Sequence, residues 1–301
     1  VLVGVPALRV ARRAGVPLVY EVRDLWENAS VDRGKFGLGG PFYRLARAAE
    51  SRVLRGADAV VTICGGLRDE LAPRVGRPGA LHVVPNGVDA DLFAARPPAA
   101  AVAARWGLAG KRVIAYVGTF QPYEGLDALI RALPAIAARV PAAHLLIAGS
   151  GGEERALRAL TAALGLEARV TFTGRVPHAE VVDLYALADL LVYPRILTRT
   201  TALTTPLKPL EAMAMGRAVL VSDVPAMREL VRPGVTGLAF RAGDVDDLAR
   251  EATRALEDGA LAARLGAAAR DWVLAERQWS TLVPGYGAIY EGLLAARAPG
   301  A

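Results

Sequence analysis

Short apolar runs alternate with Ala/Leu/Arg-rich helical stretches along almost the whole chain, and this alternation constrains the fold more than any other feature. A strand that is apolar throughout must be covered on both faces. In a chain that keeps returning to helix, that means a parallel sheet wrapped by crossover helices. Three runs, "PLVYEV", "AVVTIC" and "LHVVPN", come early; six more, "RVIAYVG", "AHLLIAG", "RVTFTG", "LLVYP", "AVLVSD" and "GLAF", come later. Six strands complete a doubly wound unit, whereas three do not close a sheet of that kind. The expected fold class is therefore α/β with two Rossmann-like domains, the first incomplete, and 301 residues suffice for two cores. The Pro pair and small residues of "DLFAARPPAAAVAARWGLAGK" put the join near Pro97. The expected divisions are 1–96, 97–280, and a closing helix over 281–301 that packs back toward the first part. The chain opens at Val1 without Met or a signal-peptide pattern, so opening strands of the first domain are expected to lie upstream.

Composition narrows the setting. No apolar run approaches the roughly 20 residues that span a bilayer. The single cysteine, Cys64, cannot form an internal disulfide and suits a reducing, cytoplasmic compartment; in its apolar run it reads as a buried thiol. The net charge is +6, but only Lys35, Lys111 and Lys208 among the 36 basic residues are lysines. Abundant Arg and Ala reflect a GC-rich coding bias, so no nucleic-acid partner is expected.

Several motifs resolve into local structure. "LLIAGSGGEE" lacks the last glycine of a dinucleotide fingerprint, since Glu154 stands there, and reads as a tight strand-to-helix turn. "GDVDDL" and "VDADLF" each offer Asp-x-Asp, which can hold a divalent metal, but both sit where an aspartate caps a turn or helix. His82, His144 and His178 lack metal-ligand spacing, so no metal is expected. "PFYRLARAAESRVLRG" is a helix with Arg44, Arg47, Arg52 and Arg55 on one arc and Phe42, Leu45, Ala49 and Val53 roughly opposite. That arc is either a solvated face or a surface for anionic lipid at the inner face of a bacterial membrane.

The stretch "TPLKPLEAMAMGRAVLVSDV" places Lys208 and Glu211 in an otherwise apolar, small-residue segment. Charges there need partners. Pro206 and Pro209 fit a helix start, where free amides and a lysine suit phosphate, while a carboxylate one turn on accepts hydroxyl hydrogen bonds from a ribose. The pair reads as a nucleoside diphosphate site, against the plainer alternative of a surface ion pair.

"EAMAMGRAVLVSDVPAMRELVRPGVTGLAF" resembles the nucleotide-binding half of the retaining glycosyltransferases of family 4, which have the two-domain GT-B fold. "VVPNGVD", "VGTFQPYEGLDALI", "LLIAGSGGEERALRAL" and "RVTFTGRVPHAEVVDLYALADLLVYP" agree, while "YEVRDLWENASVD" and "TPLKPLEAMA" are similar to a bacterial exopolysaccharide subgroup. The resemblance implies a nucleotide-sugar donor, a glycan or lipid-linked acceptor, and no cofactor. It implies that Gly118, Thr119, Val176, Arg195, Lys208 and Glu211 bind the nucleotide sugar, with Arg23 and Asp24 as catalytic candidates on the acceptor side. The sequence also departs from the family pattern. Thr119 and Glu124 stand where an Arg and a Lys usually grip the diphosphate, Leu203 replaces a Glu, and Arg23 replaces a His. Either the cation has moved to Lys208, or the site has lost function. A sugar-phosphate epimerase of the same architecture and a non-catalytic nucleotide-sugar-binding fragment are the other readings.

Overall fold

The computed structural model describes residues 3–297. All nine apolar runs form strands: β1 Val19–Val22, β2 Ala59–Thr62, β3 Leu81–Val83, β4 Arg112–Val117, β5 Ala143–Ala148, β6 Val170–Gly174, β7 Leu190–Tyr193, β8 Val219–Ser222 and β9 Leu238–Phe240. They make two parallel sheets, ordered β1-β2-β3 and β6-β5-β4-β7-β8-β9. The larger order is that of a doubly wound sheet, which reverses direction between β4 and β7; ligands of such sheets bind at the carboxyl ends of the strands flanking that reversal.

The chain divides into two compact units. One comprises the residues up to Asn86, Thr198–Thr205 and the residues from Trp279 on; the other comprises Gly87–Leu197 and Pro206–Gln278. The first division thus falls earlier than Pro97. Residues beyond Asn86 are already built into the second unit, since the Val88 amide donates to the Arg277 carbonyl at 2.8 Å and the Phe93 ring meets Tyr185 edge-on. The closing helix runs from Trp279 to Ala295 and belongs to the first unit. So does Thr198–Thr205, within a segment the sequence presents as one long loop. Its short helix, Arg199–Leu203, opens with a capping box between Thr198 and Thr201, and the Thr200 amide donates to Asp32 at 2.9 Å.

The core of the second unit is built mainly from apolar side chains. Ile114, Leu145, Ile147, Leu191 and Leu220 of the strands are fully buried, each contributing about 1.5–3 kcal/mol. The helix Leu126–Arg139 covers one face through Leu126, Leu129, Ile130, Leu133 and Ile136, the spacing of a single helical stripe.

In the first unit the helix Pro41–Gly56 turns a different face inward from the expected one. Tyr43, Ala46, Glu50, Val53 and Leu54 are buried, while Phe42 and Leu45 are 72% and 68% exposed. Glu50 on this buried face accepts the Tyr20 hydroxyl at 3.0 Å, which partners the carboxylate on the core side. Arg47 turns aside to pair with Glu70 at 3.0 Å, leaving Arg44, Arg52 and Arg55 exposed beside Phe42 and Leu45. Cys64 is buried, with its sulfur 2.9 Å from the Leu203 carbonyl.

Both Asp-x-Asp motifs serve as caps. Asp244 accepts the Asp247 amide at the head of the helix Val245–Glu257, and Asp89 accepts the amides of Asp91 and Leu92. Among the described residues no group of three or more His, Cys, Asp or Glu is arranged to hold a metal ion.

Candidate functional site

At the sheet reversal, the carboxyl ends of β4 and β7 carry a compact charged cluster. Gly118 directly follows β4, with a φ of 154° that few residues with a Cβ adopt. The aliphatic stem of Lys208 lies directly over it, so close that a Cβ at Gly118 would meet the Lys208 Cε. The Lys208 ammonium donates to the Tyr116 hydroxyl at 2.6 Å and to Glu124 Oε1 at 2.8 Å, and the Tyr116 hydroxyl donates to the Thr119 carbonyl at 3.0 Å. The second Glu124 oxygen lies 3.7 Å from Arg195 Nε.

The local backbone puts Glu124 there. It closes the one-turn helix Pro122–Glu124, and Gly125 follows in the left-handed region at φ 67°. A Cβ at Gly125 would lie 2.1 Å from the Pro194 carbonyl, so only glycine lets this turn pack against the end of β7. The Ile196 amide donates to the Tyr123 carbonyl at 3.0 Å, tying the two segments together. Arg195 is 6% exposed; its guanidinium stacks 5.5 Å from the Tyr123 ring, and its carbonyl accepts Ser222 Oγ at 2.6 Å.

Lys208 opens the helix Lys208–Ala214, which has only seven residues and no side-chain cap. Positive charge at the site therefore comes from the Lys208 and Arg195 side chains rather than from the helix end. Three buried tyrosines hold this helix: Tyr116 through the Lys208 ammonium, Tyr193 through the Lys208 carbonyl at 2.9 Å, and Tyr185 through Glu211 Oε2 at 2.7 Å. Burial, reinforced by nearby carboxylates, raises all three hydroxyls well above the ordinary tyrosine pKa, so they stay protonated. Burial lowers the Lys208 pKa, and Glu124 opposes that shift.

Gly118, Thr119, Arg195, Lys208 and Glu211 therefore belong to one neighbourhood. Val176 follows β6, two strands from β4 in the sheet, and packs half-buried against the core. Arg23 and Asp24 lie in the first unit. Arg23 donates to Glu21 at 2.8 Å and to Asn86 at 2.7 Å, and Asn86 donates onward to the Thr205 carbonyl at 2.9 Å, so Arg23 is bound into a network of its own unit. Asp24 keeps one side to solvent, yet surrounding atoms desolvate its carboxyl and raise its pKa above the usual carboxylate value.

At the position where relatives keep a Lys, Glu124 is the direct partner of Lys208. Glu211 has a protein partner in Tyr185, which donates to it. The tyrosines carry only a weak sequence signal: each sits in or beside a run that otherwise reads as plain core.

A doubly wound parallel unit with a cluster of paired charges at its reversal, joined to a second parallel unit, defines a GT-B type architecture. The chain belongs to the family described as "Glycosyl transferases group 1", whose model matches residues 103–272, and a "Glycosyl transferase 4-like domain" model matches residues 2–87. It is 34% identical over 248 residues to a GDP-mannose-dependent alpha-(1-6)-phosphatidylinositol monomannoside mannosyltransferase of Mycolicibacterium smegmatis, covering 81% of this chain and 65% of that protein. It is 33% identical to the enzyme of the same name from Mycobacterium tuberculosis, covering 86% of this chain and 68% of that protein. The chain thus spans about two thirds of the length of these relatives. The solved sucrose-phosphate synthase of Thermosynechococcus elongatus superposes with a TM-score of 0.80 at 27% identity, covering 97% of this chain and 72% of that one. HepE of Anabaena, solved with UDP, shares the fold at a TM-score of 0.80 and 21% identity, covering 95% of this chain and 75% of that one.

Proposed function

We propose that the protein containing this chain is a retaining glycosyltransferase that moves a sugar from a nucleotide sugar to a glycan or lipid-linked acceptor in bacterial cell-surface glycan synthesis. The observation that carries this reading is the Lys208 ammonium, held beside Arg195 at the carboxyl end of β4, where a doubly wound sheet receives its ligand. A departing nucleoside diphosphate gains negative charge as the glycosidic bond breaks. Fixed cations at that point bind the transition state more strongly than the ground state and lower the barrier. In this reading the side-chain cations supply the positive charge without a metal or cofactor. Glu211, oriented by Tyr185, accepts the ribose hydroxyls. Asp24, with its raised carboxyl, is the acceptor-side candidate for taking up a proton, and Arg23 positions its surroundings.

The relatives' names support a sugar-nucleotide donor and a membrane-lipid acceptor. So does the first unit's surface, where exposed Phe42 and Leu45 stand among Arg44, Arg52 and Arg55. Such a face suits an anionic membrane, each cation contributing about 1 kcal/mol. Sedimentation with phosphatidylglycerol vesicles should show binding that weakens with salt and weakens further in Phe42→Ala. Absence of binding at low salt removes the membrane partner.

The nucleotide reading is tested by titrating UDP, GDP and ADP, and the matching nucleosides, into the full-length protein. Lys208→Ala should weaken the diphosphate that binds best by at least about tenfold, the scale of a hydrogen bond to a charged group, and leave its nucleoside unchanged. Equal affinities in the parent and the variant would overturn it.

A further inference from the structure

We propose that Glu124 is the positioning residue of this site: it bridges Lys208 and Arg195, aims the Lys208 ammonium, and keeps it charged. The proposal rests on the diphosphate reading of Lys208 and adds a residue whose own negative charge would, on simple Coulomb grounds, repel the ligand.

The geometry supports a bridge rather than an accident of packing. Glu124 is 4% exposed, and its two oxygens face different cations, Lys208 at 2.8 Å and Arg195 at 3.7 Å. Without it two cations would face each other in a largely buried site. The guanidinium keeps its proton, so the ammonium would yield. Among the described residues, the other groups acting on the Lys208 charge are neutral, cationic or weaker than Glu124. The neutral Tyr116 hydroxyl from β4 accepts a hydrogen bond from the ammonium, Tyr193 from β7 donates to the Lys208 carbonyl, Arg195 repels the ammonium, and Glu211 contributes only a weaker attraction. Burial already favours the neutral amine, and Glu124 leads the opposing influences. A lysine neutralised near working pH would no longer stabilise a diphosphate.

The chain has only three lysines, so each can be followed in a protein carrying ¹³C at lysine Cε. The Lys208 signal, assigned by its loss in Lys208→Arg, should titrate below the ordinary lysine value. In Glu124→Gln it should titrate lower still, by about 1–3 pH units, the range for losing an opposite charge at this distance. The alkaline loss of nucleoside diphosphate affinity should move with it, and Lys208→Arg, charged throughout, should abolish that loss. A Lys208 titration identical in the parent and Glu124→Gln overturns the proposal. Should Glu124→Gln not fold, a Lys208→Arg variant that keeps the parent's alkaline loss overturns it equally. If instead Lys208→Ala leaves diphosphate affinity intact while the lysine titration shifts as expected, the diphosphate reading fails and the electrostatic bridge stands.

Discussion

Gly118→Ala offers a sharp test of how Lys208 is seated. An added Cβ would come 2.4 Å from Lys208 Cε and 2.8 Å from Nζ, so the side chain must leave its place. Backbone strain at φ 154° adds about 1–3 kcal/mol. Expelling Lys208 strips Glu124 of its nearer cation. Breaking a buried pair costs about 3–5 kcal/mol, but Lys208 keeps 22% exposure and Arg195 remains beside Glu124. Solvent at Lys208 and the remaining Arg195 reduce that loss to about 2–3 kcal/mol. The single variant should therefore lose about 3–6 kcal/mol. In a Lys208→Ala background the clash is gone and the pair already broken, so the glycine change should cost only its strain. The coupling between the two sites is then about 2–3 kcal/mol. Hydrogen exchange at the β4 and β7 amides of the parent, both single variants and the double variant reads this unit by itself. Losses that add to within about 0.5 kcal/mol would show that Lys208 does not rest on Gly118.

Further outcomes follow from the same cluster. Glu124→Lys should not recover diphosphate affinity, although it restores the Lys of the family pattern; a third cation against Lys208 and Arg195 at a buried position should instead destabilise the protein by about 3–5 kcal/mol, seen as a lowered unfolding temperature. Tyr185→Phe removes the donor to Glu211 Oε2 and should reduce the preference for ribo- over 2′,3′-dideoxyribonucleoside diphosphates about two- to tenfold, with an unchanged ratio counting against a ribose role. Because Tyr116, Tyr185 and Tyr193 are raised above the ordinary tyrosine value, the unfolded chain ionises first as pH rises. Stability should fall from about pH 10 upward. Lys208, with its lowered pKa, acts in the opposite sense by favouring the folded state as pH climbs toward its ordinary value, so the fall should be steeper in Lys208→Ala. Stability that is flat between pH 9 and about 11.5 would contradict the burial of those hydroxyls.

The sequence by itself determined the strands, the parallel class and the unusual standing of Lys208 and Glu211. Each of these is a local matter: an apolar run covered on both faces, a helix between runs, a charge among small apolar neighbours. Only the tertiary structure decided what Lys208 meets, because Glu124 is 84 residues away and reaches it through the adjacency of β4 and β7, which no window of sequence encodes. The same holds for Tyr116, which looks like any core aromatic until the fold brings its hydroxyl to the end of the sheet. The inward face of the helix Pro41–Gly56 was decided in the same way. Periodicity allowed two faces, and tertiary packing buried the one with Tyr43, Ala46, Val53 and Leu54, where Tyr20, 30 residues from Glu50, donates to the carboxylate carried inward.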